Sequence, residues 1–223
     1  MRNKLFILLF ISIISVSSVF GQSPERQDDE DFQSWNEVQL TVPMTKHFDF
    51  FVSTTARFGN NISRLNEGRF GLGYVWKPNK ALTISPHYEF IRGRNSALKF
   101  KPEHRLQLSA SYKFPIKSFG LIHRSRFEYR IRRGQDDSWR YRPSIKLEKD
   151  LPESWIPGAK VYLMEEPFYV STTKKFSRNR VSVGISKVIN KNLSLDLYYL
   201  RQNDGYSHPG DLNVIGTSWK VKL

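Results

Sequence analysis

The chain repeats one pattern along most of its length. Segments of about ten residues alternate apolar with polar side chains, and the connections between them are alternately short and long. Because successive side chains of a β-strand point to opposite faces, each segment has one apolar and one polar face. A membrane-spanning helix would not show this alternation. Strands with one apolar face are typical of a transmembrane β-barrel in a bacterial outer membrane.

The middle of the chain shows the alternation most clearly. In the segment 105–114 every even position is apolar and every odd position is polar. In the segment 121–133, Phe127, Tyr129 and Ile131 share one face, and the other face carries Arg residues and Glu128. A helix would mix the two sets, since its side chains repeat about every 3.6 residues. The predicted strands are 32–42, 47–58, 69–76, 82–90, 105–114, 121–133, 139–148, 160–168, 180–188, 193–202 and 212–223.

These segments predict an all-β fold class: a transmembrane antiparallel up-and-down β-barrel of about 10–12 strands. The eleven candidate strands conflict with the even number that bacterial single-chain barrels have. Pro86 and Pro143 fall inside predicted strands, where each removes a ladder hydrogen bond, so we expect bulges or early strand ends there. Glu165 would face lipid beside Leu163 unless a bulge turns it inward.

The connections predict how the barrel is oriented. Short turns of outer-membrane barrels lie on the periplasmic side and longer loops lie outside the cell. The stretch 150–158 is an exception to the alternation, because it is long where a short turn is expected. The remaining short connections are 43–46, 77–80, 115–118 and 189–192, and the long ones are 59–67, 92–103, 171–178 and 202–211.

The N-terminus predicts export from the cytoplasm. Arg2 and Lys4 precede an apolar stretch that ends at a small-residue cleavage site before Gln22, as in a secretory signal peptide. We therefore expect three parts: a signal peptide at 1–21, an acidic N-terminal segment at 22–31, and an outer-membrane β-barrel domain at 32–223. The chain contains no cysteine, which excludes a lipoprotein anchor, disulfides and a thiolate site. The predicted location is the cell outer membrane.

Three stretches resemble a known family. They are WNEVQLTVPMTKHFDFFVSTTARFG, FGLGYVWKPNKALTISPHYEF and RSRFEYRIRR, and they are similar to outer-membrane barrels of unknown function, domain of unknown function 2490. The similarity extends over nearly the whole chain after the signal peptide. It implies the barrel fold and the outer-membrane location, and it implies no activity for any residue.

The net charge of +14 changes the picture of the barrel interior. Such a charge often indicates nucleic-acid binding, but export and the alternation of Arg with apolar residues exclude that partner. Inward-facing charges give either an anion-preferring pore or anionic-ligand site, or a filled lumen in which Arg and carboxylate neighbours neutralise each other. A barrel of about 10–12 strands is narrower than an open porin, which favours the filled lumen. The predicted lumen-lining residues are Glu89, Arg105, Arg124, Arg126, Glu128, Arg130, Arg132, Arg140, Arg142, Lys146 and Glu148.

Two other functions stay open as alternatives to a non-enzymatic barrel that is a narrow pore or has a structural or adhesive role. The first is an outer-membrane lipid hydrolase, because His123 and Ser125 have the spacing of a His–Ser pair on a strand. No neighbouring Asn or Asp is evident to orient the His. The second is a soluble periplasmic barrel that binds a ligand with its apolar faces turned inward. The scattered histidines predict no metal site, and nothing predicts a cofactor.

The acidic segment 22–31 is predicted to enter the lumen, and the alternative is a disordered tail, which is common at chain termini. If the connection 43–46 is periplasmic, the first strand descends from outside, so an exported N-terminus must cross the barrel. Five acidic residues in this segment would also meet the basic inner wall. The expected partners are outer-membrane lipids and lipopolysaccharide, and the barrel-assembly machinery during insertion. The barrel is expected to be a monomer.

Overall fold

Eleven β-strands form one closed barrel in the computed structural model, which describes residues 30–95 and 97–223. Within these residues no helix is long and apolar enough to cross a membrane. The all-β barrel prediction is confirmed. The strands are β1 (Glu30–Pro43), β2 (Phe48–Gly59), β3 (Arg64–Trp76), β4 (Leu82–Arg94), β5 (Phe100–Lys113), β6 (Gly120–Arg132), β7 (Ser138–Asp150), β8 (Ala159–Val170), β9 (Lys175–Asn190), β10 (Leu193–Asp204) and β11 (Asp211–Lys222).

The odd strand count determines how the barrel closes. Neighbouring strands are antiparallel around the wall, except that β1 and β11 run parallel. Their ladder extends from Glu30 opposite Asp211 to Thr41 opposite Lys222. In an up-and-down chain with an odd number of strands, the first and last strands must point the same way. The conflict with the even-number rule is thus resolved by one parallel pair.

Most strands are longer than the sequence pattern predicted, and most of the added residues lie at one end of the barrel. We call this the upper end; its connections are 60–63, 95–99, 133–137, 171–174 and 205–210, and the connections at the opposite end form the lower end. The upper connections have four to six residues and the lower ones two to eight. The expected contrast between short and long connections is therefore wrong, because polar stretches that resemble loops continue the strands. The assignment of the upper end to the outside of the cell stays a prediction.

The outer wall is apolar and the inner wall is polar, as the alternation predicts. Leu106 and Leu108 are each 52% exposed, whereas their strand neighbours Arg105 and Gln107 are buried inside. Aromatic pairs lie at both ends of the wall, where Phe48 stacks near Trp76 at the lower end and Trp139 stacks on Tyr169 at the upper end. Such aromatic rings are characteristic of membrane interfaces. This surface fits a barrel embedded in an outer membrane.

The prolines inside strands interrupt the pairing with a neighbouring strand, but the strands themselves continue past them. β4 continues through Pro86 and β7 through Pro143, so the expected strand ends and bulges at these residues are wrong. The register shifts lie elsewhere, for example between Phe168 and Tyr169. At Pro86 the pairing with β3 is absent for two positions, because proline has no N–H to donate.

Glu165 stays on the outer wall without a bulge. It is exposed, it lies opposite Ile145 and Val181, and its carboxylate accepts a hydrogen bond of 3.0 Å from Asn179 Nδ2. A carboxylate at this position is therefore partly satisfied by a neighbouring strand. The next residue, Glu166, faces the barrel interior.

The N-terminal predictions fall largely outside the described residues. The signal peptide and positions 22–29 of the acidic segment lie there, so export and entry into the lumen stay predictions. Glu30 and Asp31, assigned to the acidic segment by the sequence, are the first residues of β1. Asp31 is buried and its carboxylate accepts hydrogen bonds from the backbone N–H groups of Asn60 and Asn61, at 3.0 and 2.9 Å. The wall therefore begins two residues earlier than the alternation suggested.

We expect Leu108→Arg to make folding into bilayers less favourable by about 2–4 kcal/mol, because the charge would lie in lipid near mid-strand. The matched control is Tyr112→Arg on the same face, at the lower end of β5, where the cost should be about 0–1 kcal/mol. Denaturant titration of protein folded into vesicles measures both. Equal costs would contradict the assignment of the apolar face to lipid.

The parallel closure predicts which cysteine pairs form disulfides. Val38 and Trp219 lie opposite each other on the outer wall, so Val38→Cys with Trp219→Cys should oxidise to an intramolecular disulfide. Val38→Cys with Lys220→Cys should not, because Lys220 points to the other face. Mobility on non-reducing gels reports the result, and the chain has no other cysteine. Crosslinking of the second pair alone would mean a register shifted by one residue.

Candidate anion-binding lumen

The inner wall combines one small apolar cluster with a large charged surface. Trp35, Leu200, Leu212 and Val214 pack together where β1, β10 and β11 meet. Most of the remaining buried side chains are polar or charged, and many of them are Arg and Glu. Buried charges need partners, so the arrangement of their contacts determines what the lumen can bind.

The first set of contacts is an ion-pair network that crosses five strands, from β2 to β6. Its carboxylates each bridge Arg residues from the same or neighbouring strands. Glu89, for example, is 3.4 Å from both Arg69 and Arg105. Glu103 is 2.6 Å from both Arg105 and Arg130. In order around the wall, the members are Arg57, Glu67, Arg69, Glu89, Arg105, Glu103 and Arg130.

A second ion-pair network lies on β6, β7 and β8. Glu128 is 1% exposed and pairs with Arg140 at 2.9 Å and with Arg142. Glu166, 3% exposed, pairs with Arg142 at 2.6 Å and with Arg124 at 2.5 Å. In each network Arg alternates with carboxylate, and each contains one more Arg than carboxylate.

Three further Arg residues that line the cavity have no carboxylate partner among the described residues: Arg94, Arg126 and Arg180. Arg94 donates to the backbone carbonyls of Leu65 and Leu98, at 2.8 and 2.7 Å. Arg126 donates from Nε to Ser109 Oγ at 3.2 Å. Arg180 is 9% exposed and donates from Nε to Gln202 Oε1 at 2.8 Å. Its guanidinium lies 4.8 Å from the Trp35 ring centre and 4.7 Å from that of Phe168. The aromatic rings stabilise this cation without neutralising it.

A cavity of about 480 Å³ remains inside the barrel between these groups. Ten Arg residues line it, against three Glu residues. Counting also the four carboxylates that pair with these Arg from the wall, Glu103, Glu128, Glu166 and Asp204, seven carboxylates face ten guanidinium groups. The described part of the cavity therefore carries a surplus of positive charge. The lining Arg residues are Arg57, Arg69, Arg94, Arg105, Arg126, Arg130, Arg140, Arg142, Arg178 and Arg180.

The residues predicted to line the lumen lie at four positions. Those on the cavity surface are Glu89, Arg105, Arg126, Arg130, Arg140 and Arg142. Glu128 and Arg124 lie in the second ion-pair network. Arg132 lies at the upper rim, where it donates to Ser138 Oγ at 3.0 Å. Lys146 and Glu148 pair with each other at 3.4 Å towards the lower end.

Several cavity residues were missed by the sequence analysis. Arg69 was predicted to begin a strand, but β3 already begins at Arg64 and so includes Glu67. Arg178 precedes the predicted start of its strand and shares the inward face with Arg180. Extending the alternation of apolar and polar positions towards the start of each strand would have found Glu67 and Arg178. The sequence pattern could not have placed Phe168 in the lumen, because an apolar side chain on a membrane-spanning strand is expected to face lipid. In the structure Phe168 faces inward and is 1% exposed.

The His–Ser pair lies outside this lumen, on the outer wall. His123 Nε2 and Ser125 Oγ are 3.1 Å apart, and Ser125 Oγ is also 3.1 Å from the hydroxyl of Tyr141. Among the described residues, no carboxylate or amide contacts His123 to orient its ring. The serine hydroxyl is thus shared with a phenol, and the third member of a hydrolytic triad is missing from this part of the chain.

The histidines do not form a metal site in the described residues, where no group of three or more His, Asp or Glu is placed to hold an ion. Asp204, the last residue of β10, accepts hydrogen bonds from Arg178 Nε at 2.7 Å and Ser207 Oγ at 2.6 Å. Its carboxylate therefore serves to connect β9 with the loop after β10.

Three known proteins illustrate what this chain is similar to. An uncharacterized protein of Methylorubrum extorquens is 23% identical over 160 residues, which cover 69% of this chain and 70% of that protein. Among solved structures, the KdgM porin is 13% identical with a TM-score of 0.47, covering 77% of this chain and 91% of that chain. An anion-selective porin from Comamonas acidovorans is 14% identical with a TM-score of 0.41, covering 80% of this chain and 53% of that chain.

The family match confirms the resemblance seen in the strand sequences. The family described as a protein of unknown function, DUF2490, matches residues 32–213, which include all of β2 to β10 and most of β1. With its closed wall, its apolar outer surface and this match, the chain belongs to the DUF2490 family and is an outer-membrane β-barrel.

Proposed function

We propose that this barrel is non-enzymatic and that its narrow lumen binds small anions and lets them pass. The observation that carries the proposal is the surplus of guanidinium groups on the cavity wall, with Arg126 and Arg180 lacking a carboxylate partner in the described residues. Rings of Arg select anions in pores, because they lower the electrostatic barrier to negative charge.

Burial makes this surplus costly unless an anion offsets it. Taking a guanidinium out of water costs several kcal/mol, and the interaction between charges is stronger in a surrounding of low dielectric constant. The ion-pair networks offset most of that cost, but they do not reach Arg126 and Arg180. A solute with a carboxylate or phosphate group would supply the missing charge and would be bound more strongly than at an exposed surface.

The size of the lumen limits the solute. A barrel of eleven strands is narrower than porins of about 16 strands with open channels, and the networks fill much of its interior. The remaining cavity of about 480 Å³ is suited to a small ion or a compact organic acid. A fully filled lumen with a structural role is the alternative, and it predicts no conductance.

We expect the purified protein to conduct with anion selectivity in a planar bilayer, measured as the reversal potential in a KCl gradient. Arg126→Gln with Arg180→Gln should shift this potential towards zero, since the two substitutions remove two of the three cavity Arg charges that no carboxylate in the described residues neutralises. The matched control is Arg92→Gln, because Arg92 is exposed and does not line the cavity. Absence of any conductance in the parent protein, or cation selectivity, would contradict the proposal.

We expect no lipid hydrolysis by this barrel. His123→Ala and Ser125→Ala should each leave the release of fatty acid from labelled phospholipid at the background of empty vesicles, as in the parent protein. The physical reason is that nothing in the described residues orients His123 as a base. A parent protein that cleaves phospholipid and loses this ability in either variant would make the hydrolase the better description.

A further inference from the structure

At one place in the barrel wall, two neighbouring strands lack backbone hydrogen bonds over three consecutive residue pairs. On either side, Tyr141 pairs with Tyr169 and Ile145 pairs with Glu165. Between these pairs, residues 142–144 of β7 and 166–168 of β8 lie opposite each other in unbroken register without pairing. We call these six residues the β7–β8 seam. At about 3.4 Å per residue, about 14 Å separates the bonded pairs on its two sides.

Two prolines cause the gap. The register places Pro143 directly opposite Pro167. In an antiparallel ladder, residues that form a hydrogen-bonded pair exchange two N–H···O bonds, and here both donors are missing because proline has no N–H. Loss of that pair also removes the bonds that define its two neighbours. The gap is therefore a property of the sequence and of the register together.

The break at Pro86 shows how such a gap is repaired elsewhere. There only one strand carries a proline, and the hydroxyl of Ser85 donates to the carbonyl of Tyr74 at 2.8 Å. In the described residues no side chain donates to the carbonyl of Pro143 or of Pro167. Instead, the seam is held on the lumen side by the Arg142–Glu166 ion pair at 2.6 Å and by Arg142 over the Phe168 ring at 4.2 Å.

The seam separates two polar environments. On the inside, Arg142 and Phe168 line the cavity. On the outside, Glu165 and the hydroxyls of Ser125 and Tyr141 lie on the lipid-facing wall at the same level. Polar groups on a lipid-facing wall are costly and are therefore often functional. Here they line the route between the lipid and the positive charge of the lumen.

We propose that the β7–β8 seam is a lateral binding site for an anionic amphiphile. The charged head, a carboxylate or phosphate, binds Arg142 from the lumen in competition with Glu166. The single acyl chain passes between Pro143 and Pro167 into the bilayer, where no backbone hydrogen bonds have to be broken. This proposal rests on the proposed anion-binding lumen for the head, and adds a site for the chain.

The test uses two photoreactive probes with a diazirine in the acyl chain, a fatty acid and a lysophosphatidic acid, in vesicles of neutral phosphatidylcholine. A monoacylglycerol of the same chain length is the uncharged control. We expect saturable crosslinks to residues 141–145 and 165–169 with at least one of the charged probes and none with the uncharged one. The charged probe that labels more strongly identifies the head group.

The decisive variant restores both missing donors, Pro143→Val with Pro167→Val. We expect it to reduce saturable labelling at least about tenfold, because backbone hydrogen bonds then close the seam. Pro86→Val is the matched control and should label like the parent protein, since Pro86 lies outside the seam. The single variants, each restoring one donor, should give intermediate labelling and provide the test if the double variant does not fold.

The outcomes separate this proposal from the anion-binding lumen. Labelling that is unchanged in both single variants and in the double variant overturns the lateral site, as does labelling that never saturates. If that happens while anion selectivity in the planar bilayer is normal, the proposed function stands alone. Loss of labelling in the double variant with unchanged anion selectivity supports both, because the seam would then serve the amphiphile and not the passage of ions.

Discussion

The absence of hydrogen-bonding partners in lipid is the constraint on which this structure depends. Every backbone N–H and C=O group of a spanning strand must be satisfied within the protein, so the wall must close on itself. A wall of eleven strands can close only if the first and last strands run parallel. The parallel ladder between β1 and β11 extends along β1 from Glu30 to Thr41. Where prolines remove donors, a serine hydroxyl or an ion pair has to hold the strands together.

The charged interior follows from the same closure. A wall that is apolar outside and alternates with a period of two must collect its polar side chains inside, where water is scarce. Arg is suited to this place because its planar group can contact two carboxylates at once, as Arg142 does with Glu128 and Glu166. Alternation of Arg and Glu across neighbouring strands also fixes the register from the inside. The cavity lining carries more Arg than carboxylate groups.

The sequence predicts the strands of this barrel well and their contacts poorly, for a physical reason. The period of two is local, so each strand and its faces can be predicted from about ten residues. The partner of a charged residue depends on register, which is set by the whole wall: Glu103 binds Arg130, 27 residues away. The same holds for the prolines. Pro143 alone predicts a weak point in β7, whereas the gap arises only because Pro167 lies opposite.

The parallel pair has a consequence for assembly. Asn36 and Thr217 are hydrogen-bonded across the closure and are 181 residues apart, so the contact that completes the barrel has nearly the highest sequence separation the chain allows. Contacts of this kind form late, because the entropy of closing a long loop opposes them. Until β11 has paired with it, β1 is an open edge able to pair with another chain. Whether the molecule closes on itself or joins a neighbour therefore depends on what covers β1 during that interval.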